Sequence, residues 1–427
     1  MKHTPMKHLK ALYHPLTSCI LCRSANLVQA VPLAPIPIAT PTFAVPEHLR
    51  TEDAFAAAPL DLMLCADCGH LQTSHLVDPE FNYKNYVYTT ASSLGLVEHF
   101  RGLFTRVFDR VKPKQGALVV EIGSNDGSLL RFFQQAGLRV LGVDPAEAIA
   151  AQATAAGVPT FARFFDAGLA DEIAAQQGKA TIVIANNVIA NVADVSVFTR
   201  GLDPLLTHDG VFVFETQYGA DVIDHMLLDT VYTEHLSYCM IRPLATHFWR
   251  HGFEVIDVER IPTKGGSIRV TVQRKGASRP VSKAVTDIIA DEERRGMFGL
   301  GYYRPFAARV QATAKRLNEI VDAEEAKGRF VAGYGVSVGT STLLHQFGLI
   351  GRIRCLFDDS PHKETHLRGP GYAIPVHAGT DVAAQNPGAI IVFAWRYADP
   401  IIAKHGAYLA NGGRFVIPLP DVVERRK

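Results

Sequence analysis

A phenol, a carboxylate and an imidazole stand almost side by side within residues 215–240, ETQYGADVIDHMLLDTVYTEHLSYCM, as Tyr232, Glu234 and His235. A second phenol, Tyr238, follows three positions later. The apolar run GVFVFET before them predicts a buried strand, so these side chains come beyond a strand end. Such groups move protons in enzymes. An isolated histidine is more often structural, but this cluster favours Tyr232, Glu234 and His235 as catalytic residues.

The turn in VVEIGSNDGSLLRFF indicates a site for a cationic ligand. A predicted strand ends at Glu121-Ile122-Gly123, and glycines and a helix N-terminus follow, where a ligand can approach the backbone. Asp126 near the helix start disfavours a phosphate and suits the amino-acid end of S-adenosylmethionine. The next predicted strand ends at Asp144, where an acid would accept both ribose hydroxyls. NAD would use the same acid, but its G-x-G-x-x-G turn is absent here.

The run ANNVIANVADV, residues 185–195, falls where the fourth strand of such a sheet would end. Carboxyl ends of strands form the ligand crevice in these folds. Asn186 and Asn187 could therefore bind cofactor or substrate, or could simply cap the next helix. The predicted cofactor-binding residues are Glu121, Gly123, Ser124, Asn125, Asp126, Gly127, Asp144 and Asn186.

Two glycine-containing turns are candidates for substrate contacts. KGGSIRV, residues 264–270, offers Lys264, Ser267 and Arg269, although a plain hairpin turn explains it nearly as well. VAGYGVSVGTSTLL, residues 331–344, resembles a dinucleotide turn, but its glycine spacing departs from the NAD fingerprint by one position. We interpret this second turn, with Tyr334, as a scaffold that contacts the nucleotide or phosphate of the substrate.

Four of the six cysteines form two C-x-x-C pairs, Cys19 with Cys22 and Cys65 with Cys68. Two such pairs predict a tetrahedral zinc site, and four thiolates leave no open position, which indicates a structural ion. A redox dithiol or unpaired core cysteines are the alternatives. The remaining two, Cys239 and Cys355, are interpreted as packing residues.

The elements that must position these residues alternate between strand and helix from Ala117 onward, which predicts a mostly parallel, doubly wound sheet. GFEVIDVERI and SIRVTVQR predict a closing antiparallel pair. Residues 278–326 are predicted as helical with a break at GLGYYRP, and a second α/β unit follows. The predicted domains are a zinc-binding module (1–78), a cofactor-binding domain (79–277), a helical connector (278–326) and a C-terminal α/β domain that contacts the substrate (327–427).

Composition is typical of a globular enzyme rather than a nucleic-acid or membrane protein. The 427 residues are 48% apolar and 20% charged, with a formal net charge of +1. This charge gives no basis for binding nucleic acid or an anionic membrane. No apolar run reaches the ~18–20 residues of a membrane helix, and the start lacks the features of a signal peptide. We expect a cytoplasmic protein, either a monomer or a small homo-oligomer.

Several blocks together resemble the S-adenosylmethionine-dependent C-methyltransferases of nucleotide-linked deoxysugars, nearly from end to end. They are the double C-x-x-C, YVYTTASS, EIGSNDGSLL, NNVIANV, DTVYTEHLSY, GGSIRV and GYGVSVGTSTLL. The resemblance implies an α/β protein with a zinc-binding module, a central Rossmann-like class I methyltransferase domain and a C-terminal Rossmann-like domain. It also places Tyr86 or Tyr88, Asn187, Tyr232, Glu234 and His235 at active-site positions.

The resemblance further implies methyl transfer to the carbon beside the ketone of a 4-keto sugar, carried by a nucleotide such as TDP, with the methyl going to C-3. His235 would remove the proton, Glu234 would orient it or bind the sugar, and a tyrosine or an asparagine would stabilise the enolate. One position departs from the family pattern, because Asn191 stands where a histidine is usual. An O- or N-methyltransferase and a zinc-containing scaffold protein with a degenerate cofactor fold are the alternatives.

Overall fold

The computed structural model describes residues 12–38, 56–84, 89–90, 95–360 and 365–427. Tyr86 and Tyr88, which the sequence placed at the active site, lie outside these residues. No helix among the described ranges combines the length and the apolar character that crossing a membrane requires.

The described N-terminal residues form short strands around the cysteine pairs. The elements are β1 (Tyr13–Pro15), β2 (Leu27–Val31), β3 (Ile36–Pro37), β4 (Ala57–Ala58), β5 (Leu62–Cys65), β6 (Leu71–Thr73), β7 (His75–Val77) and the helix α1 (Pro79–Tyr83). β1 pairs with β7, β3 pairs with β4, and β2, β5 and β6 form an antiparallel sheet.

The central part of the chain alternates strands and helices as predicted. The elements are α2 (Leu96–Val111), β8 (Leu118–Ile122), α3 (Ser128–Gln135), β9 (Arg139–Val143), α4 (Glu147–Ala155), β10 (Thr160–Phe161), α5 (Ala167–Gln177), β11 (Ala180–Asn186), α6 (Val195–Leu205), β12 (Leu206–Gln217), α7 (Gly219–Asp224), β13 (Ser237–Tyr238), α8 (Ile241–Arg250), β14 (Phe253–Ile261) and β15 (Ser267–Arg274).

The central sheet has the strand order β10-β9-β8-β11-β12-β15-β14. β10, β9, β8, β11 and β12 run parallel, whereas β15 is antiparallel to both β12 and β14, so the predicted closing pair is confirmed. Every residue of β8 is buried, which explains its unbroken apolar run with one acid. The Rossmann-like fold class predicted for this domain is therefore confirmed.

The predicted helical connector contains α9 (Lys283–Arg294) and α10 (Leu300–Glu325). The interruption lies at residues 295–299, so most of GLGYYRP belongs to the first turns of α10 rather than to the break. Pro305 is the sixth residue of α10, beyond the helix start, so its missing N–H removes one hydrogen bond from the helix. Tyr303 anchors these turns, because its buried hydroxyl donates to the Met297 carbonyl at 2.7 Å.

The C-terminal part forms a second α/β sheet. Its elements are β16 (Val331–Tyr334), α11 (Val338–Gln346), β17 (Ile353–Asp358), β18 (His366–Gly369), β19 (Tyr372–Ala378), α12 (Val382–Gln385), β20 (Ala389–Val392), α13 (Ala398–Ala403), α14 (Gly406–Ala410), β21 (Phe415–Ile417) and β22 (Val423–Arg425). The strand order is β18-β19-β17-β16-β20-β21-β22, with β19, β17, β16, β20 and β21 parallel.

Candidate active site

A cavity of about 400 Å³ opens at the carboxyl ends of β8, β9 and β11. Parallel strands all end at this edge of the sheet, so polar residues that are far apart in sequence meet there. Its lining includes most of the predicted cofactor and catalytic residues, namely Glu121, Gly123, Ser124, Asn125, Asp144, Asn186, Asn187, Asn191, Tyr232, Glu234, His235 and Lys264.

The turn between β8 and α3 is built to approach a ligand. Gly123 has φ +71° and Asn125 has φ +48°, left-handed conformations that glycine and asparagine tolerate best. Asp144 fixes this turn, because its Oδ2 accepts from the Asn125 backbone N–H and its Oδ1 accepts from the Ala146 N–H, both at 2.9 Å. The Asp144 carboxylate at the end of β9 is thereby held at the cavity. The sequence predicts that it accepts hydrogen bonds from ribose hydroxyls there.

Glu121 gives this half of the cavity a preference for a cation. It is buried, and desolvation together with the charges of Asp126 and Asp144 raises its pKa well above the ordinary value. Its Oε2 has no hydrogen-bond partner among the described residues, and the same holds for the Ser124 hydroxyl. A ligand that brings an ammonium and hydrogen-bonding groups would satisfy these atoms, and S-adenosylmethionine meets that requirement.

Two predicted cofactor residues do not line the cavity. The Asp126 Oδ1 accepts from the Ser128 N–H at 3.0 Å and from the Ser128 hydroxyl at 2.6 Å, so this carboxylate secures the start of α3. Gly127 packs against Val158, and an added Cβ would lie 3.0 Å from that side chain. The sequence could not distinguish these roles, because a helix cap and a ligand contact call for the same residue types.

His235 is held at both ring nitrogens. Nδ1 donates to the Thr230 carbonyl at 2.9 Å, which leaves Nε2 as the acceptor of the Tyr232 hydroxyl, also at 2.9 Å. The two rings are tilted by 33° to each other, with centroids 4.0 Å apart. Burial, with a smaller contribution from the Lys264 charge, lowers the pKa of His235 to about 3. The imidazole is therefore neutral near pH 7 and is held in one tautomer.

Lys264 supplies a cation to the same end of the cavity. It has φ +55° in the turn between β14 and β15, and it retains accessible surface because it faces the cavity. Surrounding protein nevertheless desolvates its ammonium and lowers its pKa, while the carboxylates of Glu234 and Glu215 act in the opposite direction. The catalytic end of the cavity thus combines a cation, a carboxylate and a neutral imidazole.

The asparagines at the end of β11 and just after it line the cavity rather than cap a helix. Asn187 has φ +55°, and its N–H donates to the Glu215 carbonyl at 2.8 Å. Asn191 donates to the Asn187 carbonyl at 3.3 Å, and its Oδ1 has no partner among the described residues. Because the side chain of Asp194 caps α6, the capping alternative for Asn186 and Asn187 is wrong.

The structure does not bring three predicted substrate residues to the cavity. Arg269 lies in register with Glu215 and Glu259 on the neighbouring strands and forms ion pairs with them at 2.6 and 3.0 Å. The Ser267 hydroxyl donates to the Thr263 carbonyl. The Tyr334 hydroxyl, at the carboxyl end of β16 in the second sheet, donates to the Asp359 carboxylate. Cross-strand pairing, which depends on strand register, explains the role of Arg269.

The cavity has further lining residues that the sequence analysis does not predict. They are Tyr83 and Thr90 near the first helix, and Arg163, Phe164 and Phe165 after β10. The last three follow a parallel strand, so the strand-end rule could have found them. β10 has only two residues, which is too short to recognise from alternation.

The four predicted zinc ligands converge in the N-terminal part. Their Sγ atoms all lie within 4.8 Å of one another, with Cys19 and Cys68 at 3.7 Å and Cys22 and Cys65 at 3.6 Å. A tetrahedral Zn²⁺ with Zn–S bonds of about 2.3 Å places its sulfurs about 3.8 Å apart, so the cluster fits a structural zinc site. Cys239 and Cys355 are buried outside it.

Three stretches of the chain match known protein families. Residues 19–83 match the family described as "Putative zinc binding domain", residues 96–258 match "Methyltransferase domain", and residues 262–420 match "C-methyltransferase C-terminal domain". Together these matches cover the zinc cluster, the central sheet and the second sheet.

The chain is 32% identical to C-methyltransferase NovU of Streptomyces niveus over 414 residues, which are 97% of this chain and 98% of that protein. A ubiquinone biosynthesis O-methyltransferase of Azorhizobium caulinodans is 31% identical over 25% of this chain and 42% of its own. Among solved structures, magnesium protoporphyrin IX methyltransferase from Synechocystis is 19% identical, with a TM-score of 0.33 over 43% of this chain and 84% of its own.

Proposed function

The chain belongs to the S-adenosylmethionine-dependent C-methyltransferases, and on this premise we propose that it methylates the carbon next to the ketone, C-3, of a nucleotide-linked 4-keto deoxysugar. The observation that carries the proposal is the neutral His235–Tyr232 pair, which opens into the same cavity as the cofactor turn. Methylation at carbon requires a base near the methyl donor, and this pair supplies one.

His235 takes the proton from the sugar carbon. Thr230 holds its Nδ1–H, so only Nε2 is available as a base. The electrons of the broken C–H bond move into the enolate, and the proton makes His235 an imidazolium. Glu234, adjacent in sequence and on the same cavity wall, lowers the cost of this new positive charge.

The enolate oxygen needs strong stabilisation because His235 is a weak base in this environment. Tyr232 turns its hydroxyl from Nε2 to the ketone oxygen when the sugar binds, which both frees the base and supplies a donor. Lys264 adds a positive charge at the same end of the cavity. Such preorganised donors are worth about 10²–10³-fold in rate each. S-adenosylmethionine, which Glu121, Ser124 and Asp144 would hold, would supply an electrophilic methyl group on a sulfonium and would leave as S-adenosylhomocysteine.

Asn191 has a supporting role in this scheme. Asn191 stands where the family that this chain resembles usually has a histidine. Its amide cannot titrate near neutrality, so Asn191 is not the base in this chain. Asn191 lines the cavity, and its buried Oδ1 has no partner among the described residues; in this scheme Oδ1 accepts from a hydroxyl of the sugar. The base role is therefore assigned to His235 alone.

The test combines a substrate panel with isotope exchange. TDP-, GDP- and CDP-linked 4-keto sugars are incubated with the methyl donor, and products are read by mass spectrometry and NMR. We expect a new methyl on carbon, and a methyl on oxygen or nitrogen would contradict the proposal.

Solvent deuterium exchange at the sugar carbon tests the roles of the two residues. We expect His235→Ala to reduce both exchange and methyl transfer by about 10²–10⁴-fold, the usual contribution of a general base. Tyr232→Phe should slow exchange less, since Nε2 remains. His208→Ala, at an exposed position away from the cavity, is the matched control. Undiminished exchange in His235→Ala would refute its role as base.

A further inference from the structure

Residues 228–235, here named the catalytic segment, are held by the second sheet as well as by the central one. The segment begins with a short 3₁₀ turn, Leu228–Thr230, and ends at His235. The helix α11 of the second unit packs directly against this turn: an added Cβ on Gly339 would lie 2.4 Å from the Asp229 carbonyl oxygen. Only a residue without a side chain permits this approach of two backbones.

Two polar contacts fix the same segment to the second unit. Arg396, which follows β20, forms a two-point ion pair with Asp229: Nη1 lies 3.0 Å from Oδ1 and Nη2 lies 2.7 Å from Oδ2. The Asp229 side chain is 10% exposed and that of Arg396 is 33% exposed, so the pair lies at the boundary of the protein with its carboxylate buried. Thr342 of α11 donates its buried hydroxyl to the Val231 carbonyl at 2.9 Å.

The contacts alternate along the catalytic segment. Asp229 and Val231 bind the second unit, whereas Thr230 and Tyr232 bind the two ring nitrogens of His235. Thr230 ends the 3₁₀ turn and lies between Asp229 and Val231, so planar peptide bonds join it to two residues that the second unit holds. Fixing Asp229 and Val231 therefore limits the movement of the Thr230 carbonyl that orients the imidazole.

We infer that Arg396, Thr342 and Gly339 of the C-terminal unit are positioning residues for the His235 base, and this inference rests on the function proposed above. The second sheet thus acts in the reaction as the support of the catalytic segment. Arg396 lies at the strand end after β20, where folds of this type commonly bind a ligand, and it holds a carboxylate of the protein's own chain there. Displacing a base by about 1 Å can cost ~10²-fold in rate.

The experiment measures kcat, KM and deuterium exchange for Arg396→Ala, Thr342→Val and Gly339→Ala. We expect a 10- to 100-fold lower kcat and exchange rate in Arg396→Ala and Gly339→Ala, and a smaller loss in Thr342→Val. The dissociation constant of S-adenosylmethionine, measured by titration calorimetry, should stay within twofold of the parent value, because none of these residues lines the cavity.

Chemical rescue separates positioning from a purely structural role. Guanidinium added at a concentration that leaves the parent enzyme folded should restore part of the exchange rate of Arg396→Ala, because it can occupy the site opposite Asp229. Arg396→Lys should fall between the parent and Arg396→Ala, since a lysine makes one contact where the guanidinium makes two.

Matched controls come from the same unit. Gly406→Ala adds a methyl where no atom lies within 4 Å, and Lys404→Ala breaks the 2.8 Å pair with Asp359 away from the catalytic segment. Both should keep the parental kcat. A parental kcat in Arg396→Ala and Gly339→Ala, with His235→Ala inactive, would overturn this inference and leave the proposed function intact. Full exchange in His235→Ala would overturn the proposed function itself.

Discussion

His235 gains its reactivity from its surroundings rather than from its own titration. Because burial lowers its pKa to about 3, the imidazole stays in the basic form at every pH used for enzymes. The same burial makes its protonation costly, so the reaction depends on the groups that stabilise the new charges. At the residue scale, Tyr232, Glu234 and Lys264 therefore matter as much as the base.

The pKa of Glu121 is raised, whereas that of His235 is lowered, and the raised pKa leads to a prediction about cofactor binding. Burial beside two other carboxylates raises the pKa of Glu121, so it keeps a proton to higher pH than an ordinary glutamate. A ligand ammonium favours the ionised carboxylate and lowers this pKa again, so binding should release a proton. Linkage requires the release to be largest at pH values between the pKa of the complex and the raised pKa of the free enzyme, and to vanish well above the latter.

Titration calorimetry in buffers of different ionisation enthalpy measures this release. Glu121→Gln should abolish it and weaken the binding of S-adenosylmethionine by about 10- to 150-fold, the value of a charge-assisted hydrogen bond of about 1.5–3 kcal/mol. Glu147→Gln, on α4 outside the cavity lining, is the control that should change neither quantity. Equal proton release in the parent and in Glu121→Gln would show that the Glu121 carboxyl is not the source of the released proton.

At the scale of elements, the short strand β13, which follows the catalytic segment, pairs with the sheet of the zinc module. β13 pairs with β6 in the module's sheet, with Ser237 opposite Gln72, and the Thr73 N–H donates to the Leu236 carbonyl at 2.9 Å. β6 begins three residues after Cys68. The metal cluster therefore stabilises the strand that holds the residues following His235.

This pairing predicts that zinc removal lowers activity from a distance. Chelation, or Cys65→Ala, should slow methyl transfer and deuterium exchange by at least about tenfold, because loss of a structural zinc unfolds the strands built around it. Metal content and activity are measured together. Cys355→Ala, a buried cysteine outside the cluster, should keep both. A zinc-free protein with parental turnover would show that β6 needs no metal.

At the scale of the whole molecule, the apolar core that joins the parts of the described chain consists of two clusters, and both include residues of the zinc module. One cluster packs Cys65 with the central sheet. The other contains Leu62 and Leu64 of β5, Leu227 and Val231, Leu317 of α10 and Leu343 and Leu344 of α11. Such continuity is typical of a single cooperative unit rather than of domains joined by a linker.

Cooperative unfolding follows from this shared core. The chain has two tryptophans, Trp249 on α8 and Trp395 after β20, so Trp249→Phe and Trp395→Phe each leave one reporter in a different unit. Urea unfolding followed by fluorescence should give the same midpoint for both variants, after correction for any difference in overall stability by circular dichroism. Two separate midpoints would show that the central and C-terminal units unfold independently.

The sequence alone determined the elements and the cofactor turn of this protein. Apolar runs with periods of two or of about 3.6 residues, glycines after strands and paired cysteines are local signals, so β8, β11, the closing pair β14–β15 and the four-cysteine cluster could be predicted. The neighbourhood of Tyr232, Glu234 and His235 could also be predicted, because consecutive residues must leave the sheet at the same edge.

Only the tertiary structure decided which polar side chains meet the cavity and which hold the fold together. Arg269 and Asp126 are of residue types that often contact ligands. Strand register instead pairs Arg269 with Glu215 and Glu259, and Asp126 accepts hydrogen bonds from Ser128 at the start of α3. The pairing of Asp229 with Arg396 spans 167 positions. Contacts over such separations arise from how whole sheets pack, and no local pattern in the sequence encodes that packing.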